Sequence, residues 1–186
     1  IGVDIGSAYV KAVVIDHGGG EPVLTRMAHH PVAPGAIVDG EVVQPESVVA
    51  AIRGAVAALG VTPRWVVSAV GGRDIMIKTI VMDRMAQDDA SEAIRWEAEQ
   101  HVPFEMSSVQ LDFQVLDPGG SSPEMSVLLV AAKRSLVEER MALLMSAGLE
   151  AAVVDVDAFA LHNAFVRNYP HCERGSAALV HLGQES

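Results

Sequence analysis

The chain has a single cysteine, Cys172, in 186 residues. A lone thiol cannot build an intrachain disulfide framework, a CxxC redox pair or a Cys-based zinc module. Basic residues are also scarce, with 13 Lys+Arg against 24 Asp+Glu and a net charge of −11. That balance argues against a nucleic-acid-binding surface, which needs a basic face, and no Lys/Arg cluster is present. No uncharged apolar run approaches the roughly 18 residues of a membrane span. The longest candidates, such as Met141 to Leu149, are far too short. No signal-peptide pattern opens the chain, so the default compartment is the cytoplasm. The seven His residues show no HExxH spacing and no Cys/His pair of pairs. His171-Cys172-Glu173 is a weak metal candidate in a polar loop, and no GxSxG elbow exists. Gly18-Gly19-Gly20 is followed by neither GK[ST] nor a helix, so it reads as a turn and not as a P-loop or dinucleotide fingerprint.

Half the residues are hydrophobic, which excludes a disordered tail and suits one domain or two small ones. Gly2 to Gly6 and Tyr9 to Asp16 read as a β-hairpin around Gly6-Ser7-Ala8. Pro22 to His30 reads as a third strand, and Pro31 to Gly40 as loop. Pro45 suits the first position of a helix whose stripe is Val48, Val49, Ile52, Val56 and Leu59, with Gly60 closing it. Strands follow at Trp65 to Val70 and Asp74 to Met82. Asp88 or Asp89 caps a helix to about His101, ending before Pro103. Val109 to Leu116 and Met125 to Ala132 form a hairpin around a polar tip. Ser135 to Glu138 has capping-box spacing ahead of the stripe Leu136, Val137, Met141, Leu144 and Met145. A strand at Ala152 to Val156, a helix at Ala158 to Arg167 capped by Asp157, and a strand at Ser176 to Leu182 complete the order. The outer pieces form one α/β layer unit, and the middle β-α-β-β-α block reads as an insertion. Ile1 is not Met, and the last strand lies four residues from the end, so the sequence reads as the front part of a longer protein.

The chemistry concentrates at Val3-Asp4-Ile5-Gly6-Ser7-Ala8-Tyr9-Val10-Lys11. An Asp inside an apolar strand costs free energy without a partner. Gly6 and Ser7 offer backbone N–H groups and a hydroxyl to an anion, and Lys11 a compact positive charge. Asp4 suits a hydrated Mg²⁺, with Gly6, Ser7 and Lys11 facing phosphate oxygens. The plainer reading is an ordinary hairpin with a turn glycine and an edge lysine. Glu92, Glu97 and Glu99 with Arg95 read as a solvated helix face, and Trp96 and Phe104 as core before groove.

Four stretches agree in order with one family: Val3–Ser7, Pro34–Glu41, Glu92–Phe104 and Val154–Leu161. Together they resemble the PilM family, actin-like cytoplasmic proteins of type IV pilus assembly. The resemblance implies an α/β fold that is half of an actin-like (ribonuclease H-like) ATPase. Its FtsA-like subdomain IA covers 1–71 and 150–170, and the inserted IC covers 72–149. Residues 171–186 then hold the linker and first strand of the second half, most of which lies beyond. The resemblance places the first phosphate loop at Asp4, Gly6, Ser7 and Lys11, with Asp4 toward the metal, and the second around Gly183. His181 stands where actin-like proteins usually carry Asp, which argues against strong Mg²⁺ binding and hydrolysis. ATP and Mg²⁺ are the implied cofactors of the full-length protein, with weak ATPase activity at most. The adenine-binding segment falls after Ser186, so neither cofactor is expected on this chain alone.

The family's partner is the N-terminal tail of the inner-membrane protein PilN, held in a groove between IA and IC. Ile94, Val102 and Phe104 are the expected wall residues. The implied setting is the cytoplasmic face of the bacterial inner membrane, beside the pilus motor ATPases, in twitching motility. Three other readings have distinct marks: an actin-like small-molecule kinase, whose sugar-kinase signatures are not seen here; a GspL-like type II secretion domain, with a downstream membrane helix; and an actin-like filament.

Overall fold

The computed structural model describes residues 1–85, 87–170 and 176–184, with only the backbone at 87–89. The His171-Cys172-Glu173 candidate lies outside the described residues. The chain divides into two compact units, 1–71 with 139–186, and 72–138.

The first unit holds a five-stranded sheet in the order β10-β6-β1-β2-β3. Its strands are β1 (Gly2–Ile5), β2 (Tyr9–Asp16), β3 (Val23–Pro31), β6 (Trp65–Val70) and β10 (Glu150–Val156). β1 pairs antiparallel with β2 and parallel with β6, and β6 pairs parallel with β10. Alternation along β2 buries Val10 and Ala12 and leaves Tyr9 and Lys11 outside. Helix α1 (Pro45–Ala58) packs on β2 and β3. Its stripe Val48, Ile52 and Val56 joins Val3, Ile5, Val10, Val66 and Leu59 in one core. Pro45 opens α1, and Gly60 follows its C-cap at φ 65°, a left-handed angle that favours glycine. The one buried polar side chain among the described residues, Ser68, donates its hydroxyl to the Val3 carbonyl at 2.8 Å.

The second unit is a three-stranded antiparallel sheet, β7-β9-β8, made of β7 (Ile75–Asp83), β8 (Val109–Val115) and β9 (Glu124–Lys133). Helix α2 (Gln87–Glu99) buries Ala90, Ile94 and Ala98 among Val102, Val127, Leu129 and Ala131. The β8–β9 tip is clamped by Arg84. Its guanidinium donates to the carbonyls of Ser122, Asp117 and Glu124 and to the Asp117 carboxylate. The other Asp117 oxygen accepts from the Ser126 N–H at 2.9 Å.

The Ser126 bond first, and then Arg84, hold the Asp117 carboxyl below its ordinary value of 3.8. A lowered folded value adds stability that is fully present above 3.8 and is lost as pH falls below it. Wild type should therefore lose more stability than Asp117→Asn between pH 6 and pH 3. Urea midpoints at both pH values check this, and parallel losses in the two proteins would refute it.

Four expectations need correction. The return to the first unit falls at Glu139, not Glu150. Helix α3 (Arg134–Ser146) carries Leu143 and Leu144, and these pack with Leu149 in the first unit's core. The expected loop at Pro31 to Gly40 contains half of a small hairpin, β4 (Ile37–Val38) with β5 (Glu41–Val42). Asp39 and Gly40 turn it with φ 51° and 84°, the pattern of a type I′ turn. Helix α4 (Asp157–Asn168) begins at Asp157, after an N-cap at Val156 with no side-chain cap bond. Finally, 176–182 carries no strand; Val180 and Leu182 are exposed, and no described strand pairs with them.

Candidate nucleotide site

The β1–β2 hairpin brings Asp4, Gly6, Ser7 and Lys11 together. Its register sets Asp4 directly opposite Lys11 on the sheet face away from Val10 and Ala12. Lys11 Nζ lies 2.8 Å from Asp4 Oδ2, with both side chains about half exposed (52% and 55%). An exposed pair of this kind contributes less than about 1 kcal/mol, so an anion can recruit Lys11 at small cost. The turn between them is tight: the Gly6 N–H donates to the Tyr9 carbonyl at 3.1 Å. A Cβ at Gly6 would sit 3.3 Å from that oxygen, so the turn suits glycine. Ser7 lies in the same turn, half-buried. Gly183 is exposed in irregular chain, two residues after His181.

Two charged side chains beside the hairpin were not expected there from the sequence. Asp157, at the start of α4, lies against the end of β6. A Cβ on Gly71 would clash with its Oδ2. Burial raises the Asp157 pKa, Asp4 adds to the rise, and Arg140 and His181 oppose it. Asp4, Asp157, Arg140 and His181 thus form one electrostatic cluster. Arg140, on α3, is half-buried, and its Nη1 lies 3.4 Å from the carbonyl of Ile5, the last residue of β1. Burial lowers its pKa, while Asp157, Asp4 and Glu139 pull it back up. No spacing signal links these residues, because they approach the hairpin only through folding.

Gly71→Ala should push the Asp157 carboxylate out of its sheltered place. Its raised pKa should then fall toward the ordinary 3.8. Carboxyl-carbon NMR titration reads this directly. An unchanged Asp157 titration in a folded variant would contradict the placement.

Two of the three expected wall residues face the interior of the second unit. Ile94 and Val102 are buried in the second unit's own core, and Phe104 is half-buried against it. Lys133 Nζ stands 5.4 Å from the Phe104 ring centroid and pairs with Asp74. Ile94 has no exposed surface to give a groove. Trp96, read as core, is 66% exposed instead.

Residues 2–185 match the family model described as type IV pilus assembly protein PilM. The chain belongs to the PilM family. It is also similar in structure to a chain of a PilM–PilN type IV pilus biogenesis complex, at a TM-score of 0.77 and 29% identity. That match covers 89% of this chain and 50% of the other, so this chain spans half the length of the chain it matches. A second similar structure is the cytoplasmic domain of EpsL, an inner membrane component of the type II secretion system of Vibrio cholerae. There the TM-score is 0.54 at 11% identity, over 83% of this chain and 56% of that one, a likeness of fold alone. The fold is the expected α/β half of the actin-like architecture of PilM. Among the described residues no helix is long and apolar enough to cross a membrane.

Proposed function

We propose that the chain is part of a type IV pilus assembly adaptor that takes the N-terminal tail of PilN and tunes that contact through a bound nucleotide. The observation that carries this reading is the likeness, over 89% of the chain, to a structure titled as a PilM–PilN complex. In this reading the protein works at the cytoplasmic face of the inner membrane, peripheral through PilN, beside the pilus motor ATPases. No nucleic acid takes part.

The nucleotide part of the proposal rests on the hairpin. Lys11, the Gly6 and Ser7 amides and the Ser7 hydroxyl suit phosphate oxygens. Asp4 and Asp157 are oxygen donors that act on each other electrostatically, and either would suit a Mg²⁺ that keeps most of its water. Among the described residues no group of three His, Cys, Asp or Glu forms a closed metal cage. A cation here therefore depends on water and on the phosphates it accompanies. Asp4 would help to hold a Mg²⁺, which would supply neutralisation of the phosphate charge. His181, where an Asp is usual, weakens that hold, so binding without appreciable turnover is the expected behaviour. Gly183 belongs to the proposed second phosphate loop.

Calorimetric titration with a synthetic PilN N-terminal tail tests the adaptor reading. Saturable binding in the micromolar range supports it. Absence of binding to a demonstrably folded chain overturns the placement of the tail on these residues. Apolar tails held by a few anchoring side chains give affinities of this order.

A further inference from the structure

A half-buried arginine is costly unless its donors find acceptors. Arg140 carries five N–H donors. Among the described residues its single hydrogen bond is the long contact from Nη1 to the Ile5 carbonyl, 3.4 Å. Ile5 immediately precedes the Gly6-Ser7 turn, so the guanidinium lies beside the backbone that the phosphates are proposed to approach. Asp4 and Asp157 act on it electrostatically, yet neither forms an ion pair with it. Asp4 is instead joined to Lys11. Among the described residues, the guanidinium is thus held next to the turn by that one long contact, with its other donors without a partner there.

From this geometry, and resting on the nucleotide reading of the hairpin, we propose that Arg140 is a phosphate-binding residue of the site. It would act as a second cation beside Lys11. The two suit different tasks. Lys11 offers a point charge on a flexible stem, whereas Arg140 offers a planar fork that can engage two phosphate oxygens at once. The pairing also balances charge. Asp4 and Asp157 give the site two carboxylates, and Lys11 alone would leave it net negative toward an anion. With Arg140 the carboxylates are matched before the polyphosphate arrives. The plainer alternative is that Arg140 only tethers β1 to α3.

Tripolyphosphate separates the two, because it asks only for the phosphate site and not for an adenine pocket. Binding to this chain is followed by phosphorus NMR or calorimetry, with thermal melting as the check on folding. Lys11→Gln and Arg140→Gln should each weaken binding roughly 10- to 100-fold, the scale of a lost charged hydrogen bond. Arg140→Lys should recover part of the loss, since it keeps the charge and loses the fork. A tether-only role predicts a lower melting temperature with tripolyphosphate affinity intact. Loss of binding in Lys11→Gln with full binding in a folded Arg140→Gln overturns the role of Arg140 and leaves the nucleotide reading standing. No binding to wild type overturns the phosphate site on this chain and the role of Arg140 with it.

Should Arg140→Gln fail to fold, arginine modification of the wild type carries the test. Phenylglyoxal labelling of Arg140, read by mass spectrometry, should slow severalfold at saturating tripolyphosphate. The exposed Arg95 should label equally in both samples. Equal labelling of Arg140 with and without the ligand overturns the proposal.

Discussion

Leu144→Ala should lower the stability of the first unit by about 3 kcal/mol, within the usual range for truncating a buried leucine. Leu144 has no exposed surface and packs in one cluster with Val3, Ile5, Val10 and Ile52. Truncation leaves a cavity between α3 and that core, and its lining loses contacts that nothing replaces. A loss of this size multiplies the unfolded fraction of the unit by roughly a hundred. Hydrogen exchange locates the effect. Amides of β1, β2 and β6 should lose protection, while those of β7, β8 and β9 keep theirs. This outcome also tests the domain boundary, because the sequence assigned α3 to the inserted block. Loss of protection confined to β7–β9 would restore that earlier assignment.

The boundary shows where sequence reasoning reaches its limit. The stripe through Leu136, Met141 and Leu144 announces a buried helix face but not which core receives it. Two cores lay within reach, and only the packing of Leu143, Leu144 and Leu149 on Val3 and Ile52 decides between them. The hairpin was legible for the opposite reason. A tight turn at Gly6-Ser7-Ala8 fixes the register, and register alone puts Asp4 across from Lys11. Arg140 and Asp157 reach the same place from far along the chain, where no local rule connects them. The residues at 176–182 have the composition of a strand, but a strand exists only by pairing, and composition is silent about the partner. The β4–β5 turn did carry a signal in Asp39-Gly40, yet strands of two residues are shorter than any periodicity can register.

Helix α2 sets the sharpest contrast, and the second large effect is expected there. Ile94→Ala should cost the second unit about 2–4 kcal/mol. Trp96→Ala, two residues on, should change stability by no more than about 0.5 kcal/mol. Size and hydrophobicity alone predict the reverse order, since tryptophan is the larger apolar group. Position on the helix decides instead. Ile94 is fully buried with Ala90 and Ala98 on the face toward Val127 and Leu129, whereas Trp96 is turned about 200° from it and is 66% exposed. Urea unfolding followed by circular dichroism measures both, without relying on the indole removed in one variant. Equal costs would mean that the helix is rotated from the placement described. The same pair bears on the partner. At low temperature, where the second unit of Ile94→Ala remains folded, the PilN tail should bind with wild-type affinity, because a side chain with no exposed surface offers a peptide nothing to contact. A tenfold loss of affinity in that folded variant would return Ile94 to the partner's binding surface, and it would require the core of this unit to open when the tail arrives.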